Sequence, residues 1–265
     1  MQILIRTLAL GLCAAGAARA HDTWLQTNTP AVHPGDAIEI DLYLGNHGNN
    51  HRDFKVAGKA DLAHSTVFVV EPDGKRLDLQ GSFVDRGYMP KEGFWSARFE
   101  PTAPGLYLAA QASDQIVHYA PERVVRSAKT FFEVSTSLDR VPPNLPGFDR
   151  VIGDPLELVA LSNPIAPAGP GVPLRVRLLF HGQPLAGETV SFIPAGETLE
   201  PGFDPRYERR TDAAGAASFS PTEPGYYLIV AHREVAAPAG ASYQSIKYSA
   251  TMTVIVPALC PCCGD

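Results

Sequence analysis

Cysteine is scarce and confined to the ends. Cys13 lies near the start and Cys260, Cys262 and Cys263 crowd the last six residues, so disulfides are not expected to hold the body of the chain. Long apolar runs are missing, and no segment reaches the roughly 20 residues that a membrane-spanning helix needs. Positive charge is in deficit: 22 Lys and Arg against 28 Asp and Glu give a net charge of −6, with no basic patch. Nucleic acid is therefore not an expected partner. No nucleophile elbow, phosphate loop or zinc-protease helix motif occurs, so enzymatic activity is not expected. Helical periodicity is absent as well.

What is present is a globular composition, 45% hydrophobic, punctuated by 23 glycines and 24 prolines. Residues 1–20 read as a secretory leader. Arg6 precedes an apolar stretch from Leu8 to Ala15, and Ala18-Arg19-Ala20 is a small-x-small cleavage pattern. The expected product is exported to the periplasm, begins at His21 and does not insert in the membrane. Losing Arg6 and Arg19 takes its charge from −6 to −8. For the three tail cysteines, disulfide formation and capture of a soft ion such as Cu(I) both stay open.

Short strand patterns dominate the remainder. Ile38–Leu44 alternates apolar and polar, and Ser65–Val70 stops at the turn Glu71-Pro72-Asp73-Gly74. Further strands are expected at Leu174–Phe180, Thr189–Ile193, Ala216–Phe219, Tyr226–Ala231 and Tyr248–Val256. The segment from Ala97 to Leu108 matches Ala217 to Leu228 at 8 of 12 positions with a constant offset of 120. Each copy contains Pro-Thr-x-Pro-Gly followed by a tyrosine strand. A second echo pairs His33-Pro34-Gly35 with Gly169-Pro170-Gly171. The fold class is all-β, two tandem Ig-like or transthyretin-like β-sandwich domains. The boundaries are 21–140 for the first, 141–150 for a Pro-rich linker, 151–257 for the second and 258–265 for the cysteine tail.

His21-Asp22-Thr23-Trp24-Leu25 directly after the cleavage pattern, with Gly45-Asn46-His47-Gly48, resembles the nickel/cobalt-uptake substrate-specific (NikM-like) periplasmic family. The stretch from Leu174 through His181–Gly187 to Thr211–Gly215 is similar to that family's transthyretin-like domain. The resemblance implies a periplasmic protein of divalent transition-metal handling, for nickel, cobalt or copper, working with a membrane metal transporter. The inserted Asn49-Asn50-His51 and the cysteine tail depart from the family pattern and leave the choice of metal open.

Independently of that likeness, cleavage before His21 would free an α-amine beside an imidazole. Both nitrogens lose their protons near neutral pH and can chelate one ion. Another imidazole would complete a set suited to Cu(II) or Ni(II). His47 and His51 lie in a turn-rich loop able to bring nitrogen ligands to such an ion, with Asp53 as oxygen ligand or orienting acceptor. His118 and His232 are further candidates at strand ends, and His64 is a weaker one. His33 and His181 read as turn residues, and Glu208-Arg209-Arg210 as a solvated strand edge. Two rivals stand beside metal binding: a metal-free Ig-like module that docks a partner or glycan, and a copper-dependent oxidase built on an N-terminal histidine brace.

Overall fold

The computed structural model describes residues 21–45, 62–87, 93–117 and 121–260. The leader, His47, His51, Asp53, His118, Cys262 and Cys263 lie outside the described residues.

The first half contributes β1 (Asp22–Thr27), β2 (Ala31–Val32), β3 (Ile38–Gly45), β4 (Ser65–Val70), β5 (Arg76–Asp78), β6 (Val84–Asp85), β7 (Trp95–Phe99), β8 (Gly105–Val117) and β9 (Glu122–Val134). The second half contributes β10 (Leu156–Ala160), β11 (Leu174–Phe180), β12 (Gln183–Pro184), β13 (Thr189–Pro194), β14 (Glu208–Arg210), β15 (Ala216–Phe219), β16 (Gly225–Ala236) and β17 (Ser245–Val256). Apart from two single-turn 3₁₀ segments, the described chain is strand and loop, an all-β architecture of packed sheets as the periodicity predicts.

The two halves share one nine-stranded sheet, ordered β14-β13-β16-β17-β9-β8-β4-β5, with β2 added beside β9. Two long hairpins form its middle, β8 with β9 and β16 with β17. They meet through a parallel pairing of β17 and β9, from Ser245 opposite Glu122 to Thr253 opposite Thr130. The order β16-β17-β9-β8 with a parallel centre is what a half-turn about an axis along the strands produces. Such a rotation exchanges the faces of the sheet. Accordingly, the smaller sheet β1-β3-β7-β6 packs on one face, while β10, β11, β12 and β15 pack on the other.

Two main cores follow. Leu25, Ile40, Leu42, Val67, Tyr107 and Phe132 fill the first, and Leu156, Leu178, Phe192, Tyr227, Met252 and Val254 belong to the second. In the connecting segment Val141 is buried, and Leu145 and Phe148 pack against the second core.

The sequence repeat is a repeat of hydrogen bonds. Tyr107 donates its hydroxyl to the Ala103 carbonyl at 2.8 Å, and Tyr227 donates to Glu223 at 2.9 Å, each reaching back four residues. Gly105 and Gly225 hold φ of +138° and +139°, a region that glycine enters without steric cost. The second echo is equally physical: Gly35 N–H donates to Pro101 O, and Gly171 N–H to Pro221 O, both at 2.7 Å.

Candidate functional site

The histidine-led motif becomes a strand buried on both faces. Leu25 points into the first core, whereas Trp24 points the other way, against Ile193, Leu228 and Val230 of the second half. The Trp24 ring stacks on Tyr43 at 5.1 Å, and Tyr43 stacks on Phe94 at 4.8 Å. Polar groups of the motif bind the central sheet as well. Thr23 donates to Gln111 at 2.9 Å and its carbonyl accepts from Thr251 at 2.8 Å, while the Thr27 carbonyl accepts from Tyr226 at 3.0 Å. The Asp22 carboxylate meets His232 Nε2 at 2.8 Å. This edge strand therefore ties the first half to the second.

His21 stands at the head of that strand, partly buried, and its carbonyl accepts from Arg126 Nε at 3.3 Å. Side-chain alternation puts His21 on the Thr23 side and Asp22 on the side of His232. His21 and His232 thus flank the β1 backbone, with Asp22 between them. His232 lies inside β16 rather than at its end, because pairing with β17 continues from His232 opposite Ser249 to Ala236 opposite Ser245. Its side chain is 52% exposed. The Asp22 charge holds His232 above the ordinary imidazole range; burial opposes this and Glu208 reinforces it. When the ring is neutral, donation of Nε2–H to Asp22 leaves a lone pair on Nδ1, the arrangement a carboxylate imposes on a metal-binding histidine.

Asp22 pairs across the sheet with Gly45, from which the chain continues into residues 46–61, the segment carrying His47 and His51. Among the described residues no three His, Cys, Asp or Glu come together as an ion-holding group. Three other histidines are described. His64 is exposed at the end of a 3₁₀ turn. His33 Nδ1 lies 3.1 Å from the Ser135 carbonyl, and His181 occupies a turn at φ +49° with its ring against Phe180 and Tyr248, as turn residues should. Cys260 is disulfide-bonded.

A polar cavity of about 420 Å³ opens beside His232 on the part of the sheet face that β1 leaves uncovered; its wall includes Glu188, Ser191, Phe203, Glu208 and Arg210. The expectation of a solvated edge at 208–210 holds for Arg210 but not for Glu208. Glu208 is buried, accepting from Ser191 Oγ at 2.9 Å and from Asp204 N–H at 2.6 Å. Gln111, a polar residue after the apolar run Leu106–Ala110, marks where β1 docks.

A family model described as a domain of unknown function, DUF4198, matches residues 18–235. The chain belongs to that family. The match runs from just before His21 to within one residue of the end of β16, so it takes in both Asp22 and His232. No curated protein matches the sequence. Among solved structures the chain is similar to the D0–D1 domain of intimin at 13% identity and a TM-score of 0.23, covering 89% of this chain and 98% of that one. It is also similar to a DUF4785 family protein from Legionella pneumophila, at 13% identity and a TM-score of 0.29 over 78% of this chain. Salmonella alpha-2-macroglobulin reacted with methylamine is similar at 13% identity and a TM-score of 0.25 over 89%. The chain spans about half, 52%, of the Legionella protein and 15% of the macroglobulin.

Proposed function

We propose that this DUF4198 member is an exported, periplasmic protein that binds a divalent transition metal ion, nickel, cobalt or copper, in uptake or homeostasis alongside a membrane transporter. The nickel/cobalt-uptake resemblance of His21–Leu25 and Gly45–Gly48 belongs to this reading. One observation carries it: the pairing of Asp22 with Gly45 starts the His47-bearing segment next to the residue that cleavage would make the terminus. His21 would give its amine and imidazole, and His47, with His51, further nitrogens. His232, across the same strand with Asp22 against Nε2, would offer Nδ1 as an additional donor once its ring is neutral.

The amine is a ligand only when nothing precedes His21, because an amide nitrogen does not chelate at neutral pH without losing its proton. Calorimetric titration of the cleaved protein with Ni(II), Co(II) and Cu(II) tests the reading. Binding tighter than about 10 μM, corresponding to roughly −7 kcal/mol, is expected for at least one ion, and one glycine added before His21 should abolish it. Weaker binding for all three, or binding indifferent to the added glycine, rejects the proposal.

A further inference from the structure

The cavity beside His232 lies in the size range of roughly 300–1,000 Å³ typical of small-molecule sites, yet its wall is polar where such sites are usually apolar. Its charges largely cancel, because Glu188 and His232 have ionic partners and Glu208 and Arg210 are opposite in sign. Glu188 faces Arg233 at 3.5 Å, and His232 faces Asp22 at 2.8 Å. Arg210 donates to the Gly187 carbonyl at 3.0 Å, and Glu208 is held by Ser191 and the Asp204 N–H. Such a wall exerts little net pull on an ion. It nevertheless retains much hydrogen-bonding capacity, since a carboxylate offers about four acceptor sites and a guanidinium five donors. Closely spaced donors and acceptors of both kinds, without net charge, complement a neutral polyhydroxylated molecule.

Phe203 supplies the remaining element. It is 45% exposed, with the Arg210 guanidinium 5.5 Å from its ring centroid on one side. A half-exposed ring fixed beside clustered polar groups is a stacking surface for the C–H face of a pyranose. Glu208 is more than nine-tenths buried and held by two hydrogen bonds, so its remaining lone pairs are oriented before any ligand arrives.

We propose that this cavity is a carbohydrate-binding site for one or two neutral sugar rings, with Phe203 as the stacking face and Glu188, Ser191, Glu208 and Arg210 as the hydrogen-bonding wall. The cavity borders on His232 of the metal reading, but Phe203 and Arg210, the residues tested here, lie outside the proposed ligand set.

Saturation-transfer NMR on the full exported chain is the test, with glucose, N-acetylglucosamine, cellobiose and chitobiose as probes. At least one sugar should show transfer, with Kd on the order of 1 mM or tighter. Phe203→Ala should weaken it at least tenfold at an unchanged Tm. Arg210→Gln, on the exposed edge strand, is the second variant and should also weaken binding while leaving the metal titration untouched. No transfer with any of the four sugars overturns the proposal. So does binding that survives both substitutions in folded protein, or a site that takes up acetate or Ni(II) instead of sugar.

Discussion

β1 and β10 hold matching places in the two halves. Each is the outer strand of its small sheet, each lies over the parallel β9/β17 seam from its own face, and each is secured there by an acid reaching a base of the opposite half. Asp22 of β1 meets His232, and Glu157 of β10 meets Lys129 at 2.5 Å. The backbone anchoring is alike too: Thr251 donates to the Thr23 carbonyl at 2.8 Å and Ser127 to the Leu156 carbonyl at 2.7 Å. The difference lies in sealing. Lys129 and Glu157 are 2% and 1% exposed, and Glu157 also accepts from the Ile152 and Gly153 N–H groups. The Asp22–His232 pair opens on a cavity, and its base is an imidazole that the Asp22 charge holds above the ordinary range. A repeated fold thus carries one clasp that only holds and one that ligands and protons can reach.

The largest expected effect falls on the sealed clasp. Glu157→Gln leaves the Lys129 ammonium buried without its counter-charge, and urea unfolding should show a loss of about 3–5 kcal/mol. A loss below about 1 kcal/mol would erase the contrast with the open clasp.

A second asymmetry is Glu133, fully buried beside the Tyr107 corner, where the other half has Ile255. Burial pushes its carboxyl up to about 7 from an ordinary 4.5. The folded state therefore keeps a proton that the unfolded chain releases at lower pH. The Glu133 contribution to stability should be greatest below pH 4.5 and decline between pH 4.5 and 7, by on the order of 2 kcal/mol. Glu133→Gln should flatten that decline in melts run across the range.

The tyrosine corners should behave as equals. Tyr107→Phe and Tyr227→Phe each remove one hydroxyl-to-carbonyl bond, and each should cost about 1 kcal/mol in chemical denaturation. Unequal losses would mean the repeat is one of sequence more than of energetics.

Asp22→Asn should have the smallest effect, under about 1 kcal/mol, because His232 is half exposed. Its pH dependence runs the same way as that of Glu133, because both folded groups hold their protons more tightly than the unfolded chain does. The folded imidazole is raised above its ordinary 6.5, so the contribution is present below pH 6.5 and disappears as pH rises through the folded value. Comparing the variant with wild type at pH 5.5 and pH 8.5 exposes that difference.

Much of this was legible in the sequence. Period-two alternation at Ile38–Leu44 gives β3, and the two Pro-Thr-x-Pro-Gly segments give the two corners because each needs a glycine at positive φ and a tyrosine behind it. The sharing of one sheet was not legible, since parallel pairing of β9 with β17 joins residues about 120 apart and leaves no local mark. The dual burial of β1 escaped for a related reason: Asp22-Thr23-Trp24-Leu25 has no period-two alternation to mark a buried face, and its two faces find partners in different halves. Glu208 resembled a surface residue because its buried partner, Ser191, lies on another strand.

Native mass spectrometry of the exported protein tests the central claim most directly, since one spectrum reports the terminus and any retained ion together. A chain beginning at His21 and carrying one nickel, cobalt or copper ion, lost when a glycine is placed before His21, is the predicted result. A chain that begins elsewhere, or one that begins at His21 and holds no such ion after incubation with all three, would contradict it.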